Sequence, residues 1–167
     1  MAYEYIWKHK EANFGKPLKK QVKGGTHITF EIVPTFKGKI IAFKRKSIPG
    51  HEEPPHAKEH PEGLLFFCHN LIRFAEPFDK FVNRVIKEQC GVSVKSYKVV
   101  DFESFYQDKD DQWALLGYVI VELNKLPKLG TYGNKIYKVI QFNSKNIPNN
   151  FAWWSKDDVK GFIKRFL

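Results

Sequence analysis

The sequence predicts an α/β (α+β) domain, with β-rich runs on either side of one strongly amphipathic helix and a second such helix near residue 160. Three observations carry this. From Phe78 onward, Phe78, Phe81, Val82, Val85 and Ile86 fall at i, i+3, i+4, i+7 and i+8, the stripe of a helix that buries one face. Residues 26–33 and 39–46 flank the turn Phe36-Lys37-Gly38 as two arms of an antiparallel hairpin. Behind Ser155, a good N-cap residue, Val159, Phe162, Ile163 and Phe166 repeat the helical stripe.

Taken in order, residues 1–25 form a basic N-terminal arm or cap, with a short strand at residues 3–8, and residues 26–167 form a single domain. The arm's lysines and aromatics could also bind RNA. After the hairpin, residues 47–63 are polar and broken by prolines, and they carry His51, Glu52, Glu53, His56, Glu59, His60 and Glu62. Their spacing matches no zinc motif, so a surface loop is expected. Residues 64–68 are continuously apolar, as in a strand buried on both faces, and deliver His69 and Asn70 into a loop. Pro77 suits the first helical turn and Gly91 the stop, which bounds the helix at residues 77–90. Residues 94–106 and 113–123 read as strands joined by an acidic turn at 108–111, and residues 136–142 as the last strand. Phe151, Trp153 and Trp154 precede the final helix, either plugging the end of the core or stacking a base.

Composition narrows the function classes. A chain of 167 residues with 43% hydrophobic and 16% aromatic residues is a folded domain rather than a disordered segment. Its net charge of +10 points to an anionic partner such as nucleotide, nucleic acid or acidic protein, or else to a solvated lysine-rich surface. No acidic residue occurs from 124 to 156, while Lys125, Lys128, Lys135, Lys138, Lys145 and Lys156 do. Two cysteines, Cys68 and Cys90, make neither a disulfide framework nor a CxxC pair, so free thiols in a reducing cytosol are expected. No stretch is long enough to span a membrane and residues 1–4 lack a signal-peptide core, which predicts a cytoplasmic protein.

One stretch carries more specific information. From Asn70 the chain reads Asn70, five residues, Glu76, seven residues, then Arg84-Val85-Ile86-Lys87-Glu88-Gln89-Cys90-Gly91-Val92. This resembles the box of the Nudix (MutT-like) hydrolases: Gly, five residues, Glu, seven residues, Arg-Glu, an aliphatic, any residue, Glu-Glu, any residue, Gly, an aliphatic. The register holds without a gap. Glu76, Arg84, Ile86, Glu88, Gly91 and Val92 match, whereas Asn70 replaces Gly, and Val85 and Gln89 each replace Glu.

The resemblance implies an α/β/α sandwich: a central mixed β-sheet with the box helix on one face and the final helix on the other. It implies a hydrolase that splits a nucleoside diphosphate linked to another moiety, with Mg²⁺ or Mn²⁺ held by the box glutamates. A hard cation needs several oxygen ligands. Glu88 keeps that character, Gln89 offers only a neutral carbonyl, and Val85 offers none. Glu88 is thus the expected catalytic and metal residue, Gln89 a weak metal ligand, and Glu76, Arg84 and Gly91 the structural part of the box. Asp101, Glu103 and Glu122 are candidates for missing ligands, or simply strand carboxylates. His69 stands where the family has glycine, and is expected either as general base or ligand or as a histidine bonded to loop backbone. Arg45 at the end of the hairpin and Arg73 before the helix could meet phosphate, with Trp153 against a base; an exposed cation and an ion pair are the alternatives for the two arginines. The competing reading is a catalytically impaired Nudix-like module that binds nucleotide or RNA without turnover. A homodimer is compatible with either.

Overall fold

The computed structural model describes residues 27–45, 54–73, 75–107, 112–130 and 136–167. The expected arm of residues 1–25 with its strand, the loop residues His51, Glu52 and Glu53, Lys135, and the acidic turn at 108–111 lie outside the described residues.

Strands β1 (His27–Phe36) and β2 (Lys39–Arg45) form the predicted hairpin. Lys37 and Gly38 at its tip have φ of 48° and 72°. Positive φ at both positions matches the twist of the flanking strands, and glycine adopts it without steric cost. β1 extends past residue 33 through Pro34. That proline stands between the β4 register, which ends at Ile32, and the β2 register, which begins at Thr35. Its missing N–H therefore falls where β1 changes partner.

The single strand expected over residues 64–68 is two. β3 (Leu65–Phe66) pairs with β2, and β4 (Cys68–Leu71) pairs with β1. β1 and β2 are in register only near their turn, at Thr35↔Ile40 and Phe36↔Lys39, so one straight strand could not serve both. The chain changes partner at Phe67. His69 and Asn70, expected in a loop, consequently lie in β4, opposite Glu31 and Phe30.

With β5 (Val94–Gln107), β6 (Gln112–Leu123) and β7 (Ile136–Phe142) the seven strands make one mixed sheet, ordered β3-β2-β1-β6-β5, with β4 on β1 and β7 on β2. β1 and β6 run parallel; the other pairs are antiparallel. Two helices, α1 (Phe78–Cys90) and α2 (Lys156–Phe166), pack against it.

The stripe on α1 does what its spacing predicts. Phe81, Val82, Val85 and Ile86 are fully buried in a cluster with Phe30, Ile32, Cys68 and Val119. Each such side chain contributes about 1.5–3 kcal/mol relative to exposure. On the alternate residues of the strands a second cluster joins Val159 and Phe162 of α2 to Val33, Ala42, Leu65 and Phe142. The two clusters are the two sides of the expected sandwich. Gly91 ends α1 at φ 66°, its N–H donating to the Lys87 carbonyl. Ser155 starts α2 in a reciprocal capping box with Asp158. No described helix is long and apolar enough to cross a membrane.

Candidate functional site

The segment between β4 and α1 is tied down by Arg84 and Glu76. Arg84 Nε and Nη2 donate to the two oxygens of Glu76 at 2.6 and 2.8 Å, and Nη2 also reaches the Leu71 carbonyl at 3.2 Å. Glu76 in turn accepts the Arg73 N–H at 2.9 Å. Both side chains of this fork are nearly buried, 12% and 11% exposed. Burial works against the Glu76 charge, yet the guanidinium and the Arg73 N–H hold its carboxyl below the ordinary value. Its hydrogen bond to Glu76 raises the Arg84 guanidinium further. The geometry is that of a loop-to-helix clamp, and it supports Ala75 in the left-handed region at φ 56°.

Glu88, one turn after Arg84, lies between two cations. Its oxygens are 3.4 Å from Arg84 Nη1 and 3.7 Å from Arg73 Nη2. Gln89 points the other way, into the fold, and is 4% exposed. Its Nε2 donates to the His69 carbonyl at 3.0 Å. Val85 is wholly within the core. A carboxylate at position 89 would face the His69 carbonyl as acceptor against acceptor and would need a cation or a water between them. The amide supplies its own hydrogen instead.

A divalent cation therefore does not fit these box residues: one flanking position is apolar, one is bonded to the carbonyl by its own N–H, and the remaining carboxylate is paired with arginines. Among the described residues, no three His, Cys, Asp or Glu side chains lie together as a metal-ligand group. The strand carboxylates are engaged elsewhere. Asp101 meets Arg165 at 3.0 Å, Glu122 accepts from the Thr35 hydroxyl at 2.8 Å, and Glu103 accepts from the Tyr118 hydroxyl. Burial, reinforced by Glu103, pushes the Tyr118 phenol far up. In the 47–63 loop His56 faces Glu59 at 3.5 Å and His60 faces Glu62 at 3.0 Å, as separate pairs.

His69 is held by side chains rather than by loop backbone. Nδ1 lies 2.9 Å from Glu31 Oε1 and Nε2 lies 2.8 Å from Thr29 Oγ1, while the ring is half exposed. Thr29 Oγ1 is also 3.1 Å from the Asn70 carbonyl. With Nδ1–H given to the carboxylate, a neutral ring accepts the Thr29 hydroxyl; a protonated ring donates at both nitrogens and releases that hydroxyl to Asn70. Sequence spacing singles out His69 but neither Glu31 nor Thr29. A signal for them exists in β1, where Thr29 and Glu31 alternate with Phe30 and Ile32 and so share one face.

The remaining candidates are scattered. The Arg45 guanidinium stacks on Phe66, 4.0 Å from the ring centre. Phe151 and Trp154 pack on Phe67 and fill the α2 side of the core. Trp153 beside them is 47% exposed. The thiols of Cys68 and Cys90 meet in the core with their sulfurs 3.5 Å apart, and burial raises the Cys68 thiol well above its usual value.

A mixed sheet between two helices, with Glu76 and Arg84 clamping the segment before the first, defines a Nudix fold. Solved structures agree. The chain is similar to a MutT Nudix hydrolase from Burkholderia pseudomallei, at 12% identity and a TM-score of 0.59 over 86% of this chain and 99% of that one. It is similar to a Bacillus subtilis pyrophosphohydrolase at 16% identity and a TM-score of 0.57, covering 83% and 79%. It is similar as well to the Nudix domain of NrtR from Shewanella oneidensis, complexed with ADP ribose, at 12% identity and a TM-score of 0.58, covering 99% and 96%. No family model and no curated protein matches the sequence.

Proposed function

We propose that this Nudix-fold domain binds a nucleoside diphosphate derivative on its box side without a divalent cation, and does not hydrolyse it by the metal-assisted route. The observation that carries this is the 3.0 Å bond from Gln89 Nε2 to the His69 carbonyl. It sets an amide N–H, which no cation can use, against a carbonyl that would otherwise serve as an oxygen ligand beside a box carboxylate. Affinity for the diphosphate then rests on fixed cations. Arg73, half exposed and 3.7 Å from Glu88, can exchange that carboxylate for a phosphate oxygen. The Shewanella domain complexed with ADP ribose supports this ligand class.

A second reading is favoured by one observation, the half-exposed His69 ring backed by Glu31 at 2.9 Å. A carboxylate that fixes the tautomer of a histidine prepares it as a general base, and here Nε2 would activate water without metal once the Thr29 hydroxyl turns to the Asn70 carbonyl.

Titration calorimetry with ADP-ribose and a nucleoside triphosphate, in Mg²⁺ and in EDTA, tests the proposal. Binding that is equal in both media, undiminished in Glu88→Gln and weakened by salt is the expected result. Metal-dependent binding that Glu88→Gln abolishes would overturn it. Turnover in EDTA that His69→Gln removes would select the second reading.

A further inference from the structure

On the far flank of α1 from Glu88 lies a cavity of about 440 Å³ that neither the clamp nor the His69 cluster uses. One wall is the helix, with Asn83 and Lys87; the other is the turn after β6, with Asn124, Lys125 and Lys128, and Ser93 lies between them. Backbone bonds hold the walls in place. Asn124 N–H donates to the Ser93 carbonyl at 3.3 Å, and Lys128 N–H to the Cys90 carbonyl at 3.4 Å.

Lys87, Lys125 and Lys128 line this space with Asn83, Asn124, Ser93, Gly91 and Val92, and its lining holds no carboxylate. Asn83 Nδ2 already donates to the Asp79 carbonyl at 2.8 Å, and Asn124 Nδ2 to the Ser93 hydroxyl. Lysine near a helix C-terminus is favoured by the helix dipole alone, so Lys87 by itself means little. Lys125 and Lys128 are not on that helix. They come from the acid-free stretch of residues 124–156 and face Lys87 across a concave surface. Lysines gathered on two walls of one cleft favour an anion between them. The volume lies within the range of small-ligand sites, about 300–1,000 Å³. No aromatic side chain lines it, so nothing there would stack a base.

We infer that this cleft is an anion site, separate from the box side, that takes an oligophosphate chain between Lys87 on the helix and Lys125 on the facing turn. The chain can be a free oligophosphate or the backbone of a nucleic acid; both present the same spaced oxygens.

The test is calorimetric titration of the full chain with inorganic tripolyphosphate at low and moderate salt. Lys87→Gln/Lys125→Gln should weaken binding tenfold or more at low salt and flatten its salt dependence. Lys160→Gln, an exposed lysine on α2, serves as control and should leave binding within twofold. No change in the double variant, or an equal loss in the control, would overturn the assignment. A second titration with a short single-stranded RNA identifies the source: RNA binding that Lys87→Gln/Lys125→Gln weakens assigns the site to a nucleic-acid backbone, and RNA binding that is absent or unchanged in that variant assigns it to a free oligophosphate.

Discussion

Gln89 and His69 are joined end to end, the amide N–H of one 3.0 Å from the backbone carbonyl of the other, across the seam between α1 and β4. This one bond replaces what two acceptors and a cation would do. Gln89→Glu should therefore destabilise the domain in metal-free buffer by about 1–3 kcal/mol, the cost of a buried acceptor pair left without a hydrogen. It should also make stability depend on divalent cations, because a carboxylate introduced at position 89 and the His69 carbonyl would together offer oxygen ligands to Mg²⁺ or Mn²⁺. Thermal melts of the variant in EDTA and in Mn²⁺ read the effect. A variant as stable as the parent in EDTA, or indifferent to Mn²⁺, would count against the replacement.

The pair of Glu31 and His69 makes a second prediction. Glu31 is only 8% exposed and leans on the His69 ring on one side. His69→Phe removes that partner and should cost about 1–3 kcal/mol. Combined with Glu31→Gln the loss should be less than the sum, with a coupling of about 0.5–3 kcal/mol in a double-mutant cycle followed by urea unfolding. Strict additivity would mean that the two do not act as a unit.

Much of this arrangement can be read from residue order, and the part that cannot has a definite cause. The Phe81, Val82, Val85 and Ile86 stripe, Gly91 as helix stop and Ser155 as cap depend on neighbours within a turn or two, so local spacing suffices. The Glu76–Arg84 fork is legible because its partners lie on the box itself. The partners of His69 are 38 and 40 residues away in sequence and meet it through the pairing of β1 with β4. That pairing depends on the chain breaking at Phe67 between two short strands, which a run of apolar residues conceals. The direction of Gln89 is hidden for another reason: its amide can act as ligand or donor, and only the carbonyl opposite decides which.

Gly117 is a third place where a single atom should be felt. A Cβ built there would lie 2.3 Å from Phe30 Cε1 and 2.9 Å from Phe102 Cε1. Phe30 cannot easily retreat, because its ring already meets Phe78 at 4.9 Å and Phe81 at 5.1 Å between centres. Gly117→Ala should cost about 1–3 kcal/mol through overpacking, and Gly117→Ala with Phe30→Leu should recover part of it. Gly161, with open space around its Cβ, is the control: Gly161→Ala in the middle of α2 should raise the melting temperature, since alanine is the better helix former by about 1 kcal/mol.

Acid should weaken the clamp. The Glu76 carboxyl is held below its ordinary value of 4.5 in the folded chain, so over the interval between the two values the unfolded chain binds more protons. The stability it contributes is complete above 4.5 and is lost as pH falls through the lower folded value. Protonation removes the charge that Arg84 contacts at 2.6 and 2.8 Å and loosens the segment before α1. Glu76→Gln should thus melt lower than the parent at pH 7, and the gap between them should narrow as pH falls below 4.5. Melting curves from about pH 3 to about pH 7 for both proteins give the comparison. A gap that stays constant across that range would show that the Glu76 charge plays no part in holding the loop to the helix.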